Sequence, residues 1–85
     1  MKILVIEDDR EAASYLKKAL AEAGHNPHLA FDGEEGFSLA SDGDYDVLVV
    51  DRMLPRRDGL SVIAELRARD VRTPVLILSA LGEVD

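Results

Sequence analysis

Eighty-five residues are enough for one small domain. A chain of this size buries only about 60–65% of the surface its unfolded form exposes, so its stability is expected to be marginal. The composition, 47% hydrophobic and 32% charged, is that of a globular protein, while the net charge of −7 argues against a nucleic-acid-binding module, which would present a basic face. The absence of cysteine rules out disulfides and thiolate metal ligands. The longest apolar runs are strand-sized, far short of the roughly 20 residues that cross a bilayer. Met1-Lys2-Ile3 enters a strand at once, without the apolar stretch of a secretory signal, so the expected location is the cytoplasm.

Strand and helix signals alternate along the chain. Residues 2–6 read as a first strand. Asp8 or Asp9 caps a helix to about residue 23, with Ala13, Leu16, Leu20 and Ala23 spaced by three and four. Gly24 is placed to end it in a left-handed conformation. Residues 27–31 read as strand two, with Pro27 at its first position, where a missing N–H is tolerated. A weaker helix over about 33–41 carries Phe37, Leu39 and Ala40. Residues 46–50 read as strand three, a loop with Pro55 and Gly59 follows, and a third helix over about 60–69 has Leu60, Ile63 and Leu66 on one face. Thr73-Pro74 then opens strand four, residues 75–78. The order βαβαβαβ indicates a parallel sheet with helices on both faces. The pattern stops at Asp85, a few residues past strand four, so that strand is expected to leave an apolar sheet edge prone to self-association.

Ligands of open α/β sheets bind beyond the carboxyl ends of the strands. Three such ends carry polar groups here: Glu7, Asp8 and Asp9 after strand one, Asp51 after strand three, and Ser79 after strand four. If strands one and three are neighbours, Asp8 and Asp51 approach within a few ångströms. Like charges that close raise each other's pKa unless a cation intervenes. Oxygen-only ligands suit Mg²⁺, and a carboxylate beside Mg²⁺ can act as a nucleophile towards phosphorus. Ser79 could donate to a phosphoryl oxygen, with the small Ala80 leaving room. Plainer readings stand beside these. Asp9 fits the start of an amphipathic helix better than a ligand role, and Asp8 alone fits either. Asp58-Gly59 is by default a turn into helix three, and Ser79 could cap a following helix. His25 and His28 lack metal-ligand spacing and read as surface residues, and Arg56 and Arg57 as solvated loop residues able to touch an acidic or phosphorylated partner.

Glu7-Asp8, the run Asp51-x-Met53-Leu54-Pro55-x-x-Asp58-Gly59, and Ser79-Ala80, in that joint spacing, resemble a response-regulator receiver domain of two-component signalling. The Met-Leu-Pro wording is similar to the branch with winged-helix DNA-binding output. The resemblance covers essentially the whole chain. It implies a flavodoxin-like doubly wound parallel sheet of order 2-1-3-4-5, incomplete here at four of five strands and three of five helices. It implies that Asp51 accepts phosphate from the phosphohistidine of a sensor histidine kinase. Asp8 would bind Mg²⁺ directly and Glu7 largely through water. The Met53 carbonyl would be a further metal ligand, and Ser79 would hydrogen-bond the phosphoryl group. Met53 and Leu81 match positions that tune the lifetime of the acyl phosphate. The family also has a lysine after a fifth strand, an aromatic switch residue within it, and a signalling face of helix four, strand five and helix five, none of which this chain contains. The expectation is a receiver truncated after strand four, impaired in phosphotransfer and unstable or self-associating, whose parent controls transcription. No membrane or nucleic-acid contact is expected of this domain. Two other classes compete. A haloacid-dehalogenase-type phosphohydrolase would need an aspartate where Met53 stands. A non-signalling fragment or self-associating interaction module needs no chemistry at all.

Overall fold

In the computed structural model, which describes residues 1–54 and 57–78, four strands and three helices alternate. They are β1 (Lys2–Ile6), α1 (Arg10–Glu22), β2 (Asn26–Ala30), α2 (Gly33–Asp42), β3 (Val47–Asp51), α3 (Gly59–Ala68) and β4 (Val75–Leu78). The strands form one parallel sheet of order β2-β1-β3-β4. The central strands carry continuous apolar runs because both their faces are covered. Leu4, Ile6, Leu48 and Val50 point to one face and pack with Ala40, Val62 and Leu66 from α2 and α3. Ile3, Val5 and Val49 point to the other face and meet Leu16 and Leu20 of α1. Full burial of each Leu or Val side chain is worth about 1.5–3 kcal/mol, so these two thin layers supply most of the driving force.

The helix ends follow from local chemistry. Asp9 caps α1, its Oδ1 accepting from the amides of Glu11 and Ala12 at 3.0 and 3.4 Å. Asp32 caps α2 by accepting from the Glu35 amide at 2.8 Å, and Glu35 reaches back to accept from the Phe31 amide at 2.9 Å. This reciprocal bonding satisfies the Glu35 amide of the first turn and the Phe31 amide just ahead of the cap. Both α1 and α3 end in a Schellman turn. In α1 the residue after the cap is Gly24 at φ +93°, with the His25 amide bonded to the Leu20 carbonyl. In α3 that position is Asp70 at φ +65°, with the Val71 amide bonded to the Leu66 carbonyl.

Several details differ from the sequence reading. β2 starts at Asn26, so Pro27 is its second residue. The Asn26 amide donates to the Met1 carbonyl, which turns the Pro27 nitrogen to the open side of an edge strand, where no donor is needed. Asp51 is the last residue of β3, paired with Leu78, rather than the first residue beyond it. In α3 the buried residues are Gly59, Val62 and Leu66, and Leu60 is exposed, because the first turn of α3 faces back onto the β3 end. His25 and His28 are half-buried: His25 Nδ1 lies 3.1 Å from the terminal amine, and His28 Nδ1 3.2 Å from the Tyr45 hydroxyl. Among the described residues no helix is long and apolar enough to cross a membrane.

Candidate functional site

The site is built at the carboxyl ends of β1 and β3. These strands pair in register, Ile6 opposite Val50, so the residues that follow, Glu7 and Asp51, emerge side by side. Glu7 prolongs β1 by donating its amide to the Ala30 carbonyl at 2.9 Å. Asp8 lies in the tight connection to α1. One carboxylate oxygen from each of Glu7, Asp8 and Asp51 falls within 4.8 Å of the others. The sequence expectation that the two strand ends converge is met, and Asp9 is absent from the group because its carboxylate is engaged as the α1 cap.

The three acids differ in surroundings. Glu7 is 7% exposed, Asp51 half-buried and Asp8 exposed. Burial, followed by the facing charges of Asp51 and Asp8 and a hydrogen bond with Asp51, pushes the Glu7 carboxyl up to about 7. The Asp9 amide, donating to Glu7 Oε2 at 3.0 Å, opposes that rise. A carboxyl pushed up chiefly by burial, and further by two neighbouring acids, is a site in want of positive charge. The donors are all oxygen, which suits a hard divalent cation of the Mg²⁺ type rather than zinc. The residues present therefore fit Mg²⁺.

Asp51 is also held from its own loop. Its Oδ1 accepts from the Met53 amide at 3.1 Å, an Asx-type turn that fixes the carboxylate's rotation. Met53 itself is 71% exposed. The loop closes through the Gly59 amide donating to the Arg52 carbonyl at 3.0 Å. A Cβ at Gly59 would collide with the Asp51 carbonyl oxygen and lie 3.0 Å from Val50 Cγ1. Asp58-Gly59 is thus a helix start, with Asp58 accepting from the Leu60 amide at 3.1 Å, and also the close approach that seats α3 against the Asp51 backbone. Only the first of these roles was readable as a turn.

Arg57 is not the solvated loop residue the sequence suggested. Its side chain is 16% exposed and donates to Glu65 Oε1 at 2.6 Å. The missed signal was spacing: Ser61 and Glu65 stand four apart on one face of α3, and Arg57, four residues before Ser61 and just ahead of the Asp58 cap, reaches along that face. Ser79, Ala80 and Leu81 lie outside the described residues, as do Pro55 and Arg56.

Comparison with known proteins agrees with this architecture. The family model described as the response regulator receiver domain matches residues 3–85. Among curated relatives, the transcriptional regulatory protein CusR of Escherichia coli (strain K12) is 41% identical over the whole chain, which covers 37% of CusR. TcrA of Mycobacterium tuberculosis, also a transcriptional regulatory protein, is 44% identical over 99% of the chain, which covers 33% of TcrA. The chain thus spans about a third of the length of the curated relatives it matches. Among solved structures, the Francisella response regulator 1452 receiver domain superposes with a TM-score of 0.91 at 42% identity, over 98% of this chain and 69% of that one. TrrA of Thermotoga maritima, solved in complex with Mg²⁺-BeF, gives a TM-score of 0.89 at 31% identity, over 95% of this chain and 70% of that one. The fold and site define an α/β signalling module of flavodoxin-like topology. The chain belongs to the response regulator receiver domains of two-component systems.

Proposed function

We propose that this domain accepts a phosphoryl group on Asp51, with Glu7, Asp8, Asp51 and the Met53 carbonyl holding Mg²⁺. The observation that carries the reading is the meeting of three carboxylates at two adjacent strand ends, one of them buried and held near neutrality. Asp51 attacks the phosphorus of a phosphohistidine, the new O–P bond forms, and the P–N bond breaks with its electron pair going to the imidazole. Bound Mg²⁺ would neutralise charge on the transferring phosphoryl oxygens. The Met53 amide keeps the Asp51 carboxylate aimed. Ser79, which follows β4, supplies a hydroxyl donor in this reading.

The phosphate donor is a sensor histidine kinase in the cytoplasm, and the chemistry is self-catalysed phosphotransfer and dephosphorylation rather than turnover of a separate substrate. Similarity to transcriptional regulators over the receiver region supports an output on transcription through a winged-helix DNA-binding part. Incubation with Mg²⁺ and acetyl phosphate, followed by intact-mass measurement, tests the phosphoacceptor. One phosphoryl adduct is expected, abolished in Asp51→Asn and by chelation of Mg²⁺. An adduct that survives in Asp51→Asn, or none in the folded wild type, overturns the reading.

A further inference from the structure

We infer that Arg57 is a positioning residue for the acidic site, holding the β3–α3 loop so that the Met53 backbone is set before Mg²⁺ arrives. In the described part of that loop, Arg52 and Met53 are exposed, whereas the Arg57 side chain turns inward and is 16% exposed. Its Nη2 donates to Glu65 Oε1 at 2.6 Å, to Ser61 Oγ at 3.1 Å and to the Ser61 carbonyl at 3.3 Å, all on α3. Its guanidinium also lies 5.3 Å from the centre of the Phe37 ring on α2. Arg69 sits 5.1 Å from the centre of the same ring and donates to Glu65 Oε2 at 3.2 Å, so one carboxylate bridges two guanidiniums that both approach Phe37. The Arg57 backbone is seated as well. A Cβ at Gly33, the first residue of α2, would lie 2.6 Å from Arg57 Cβ and 3.1 Å from its carbonyl oxygen.

Two helices therefore grip one end of a loop whose other end carries Asp51 and Met53. A backbone carbonyl makes a good metal ligand only if its loop is already ordered, because ordering it on binding subtracts from the affinity. Among the described residues the Arg57 contacts reach none of Glu7, Asp8 and Asp51, so the inferred effect on the site is indirect.

This inference rests on the Mg²⁺ reading of the acidic cluster, and the test separates the two. Mg²⁺ is titrated into ¹⁵N-labelled protein, and the amides of Glu7, Asp8, Asp51 and Met53 are followed by NMR, which reports folding in the same spectra. Arg57→Ala and Glu65→Ala are each expected to weaken Mg²⁺ binding about tenfold, the lower end of what outer-shell partners of metal sites supply. The Met53 amide should also shift or broaden before metal is added. Arg69→Ala, which removes a largely exposed partner of Glu65 and Phe37 but leaves Arg57 in place, should stay within about twofold of wild type. Charge alone predicts the opposite sign for Arg57→Ala, since deleting a cation near an acidic site tightens Mg²⁺. A role confined to stability would lower the melting temperature and leave the affinity unchanged. Wild-type-like or tighter Mg²⁺ binding in the folded variants overturns the inference. If Arg57→Ala does not fold, Glu65→Ala and Arg57→Lys, the latter keeping the charge without the fork, decide it on the same criterion. Absence of saturable Mg²⁺ shifts in wild type instead overturns the metal reading itself.

Discussion

Gly59 is where a single methyl group would report on the whole site. An added Cβ would meet the Asp51 carbonyl oxygen, Val50 Cγ1 at 3.0 Å and Arg52 Cα at 3.1 Å. Two of these are backbone and the third belongs to a fully buried valine, so none has the freedom of a side-chain tip to move away. Overpacking of a rigid site costs about 1–3 kcal/mol. Alanine returns up to about 1 kcal/mol of helix propensity, less at the first residue of a helix, where Gly59 stands. Gly59→Ala should therefore destabilise the fold by about 2 kcal/mol. With an unfolding entropy of about 2.1 cal/mol/K per residue, a domain of 85 residues loses roughly 11 °C in melting temperature. Relief of the clash pushes α3 and the β3 end apart, so the Asp51 carboxylate shifts and phosphorylation by acetyl phosphate slows. Thermal unfolding followed by circular dichroism, with intact mass on the same samples, measures both. A melting temperature within about 3 °C of wild type together with an unchanged phosphorylation rate would refute the close-approach argument.

Two further outcomes follow from the site's electrostatics and from one backbone angle. Glu7 is raised from 4.5 to about 7, so the folded state holds its proton more tightly than the unfolded one. Its cost to stability is absent below pH 4.5, grows between 4.5 and about 7, and is complete above, on the order of 3 kcal/mol. In metal-free buffer Glu7→Gln should thus exceed wild type in stability at pH 8 and match it near pH 4.5; urea unfolding that shows a pH-independent difference contradicts this sign. Asp70 holds φ +65°, a conformation that costs a side-chain-bearing residue energy, and its pairing with Arg72 is exposed on both sides. Asp70→Gly is expected to stabilise by about 0.5–1 kcal/mol, and a lower melting temperature would show that the pairing with Arg72 outweighs the strain.

Much of the architecture was legible because its signals are local. Apolar runs of four or five residues, Asp9 before an amphipathic stretch and Gly24 after it each state a rule that needs only neighbouring residues. The α3 end was marked less clearly. Its left-handed position is filled by Asp70, which also reads as an ordinary polar loop residue. Leu60 shares a helix face with Ile63 and Leu66 by spacing, yet it is exposed, for a related reason. Spacing gives a helix an apolar stripe, but the edge of that stripe depends on how the helix is seated, and Gly59 rotates it towards Val62 and Leu66.

By itself the sequence determined the alternation of strands and helices, the acidic character of two strand ends and the kinship carried by their joint motif. The first two follow from residue type, period and turn chemistry, which are local, and the kinship from the spacing of motifs along the whole chain. Tertiary structure alone decided that Glu7, rather than Asp8, is the buried acid, since its burial comes from β1 lying between β2 and β3. It also decided that Arg57 faces inward to Glu65 and Phe37, and that Gly59 abuts the Asp51 backbone. Each of these depends on segments distant in the chain being brought into register. A carboxylate's burial in such a sheet is set by the strands beside it, while its nearest hydrogen bonds here, from the Asp9 and Met53 amides, come from residues close in sequence.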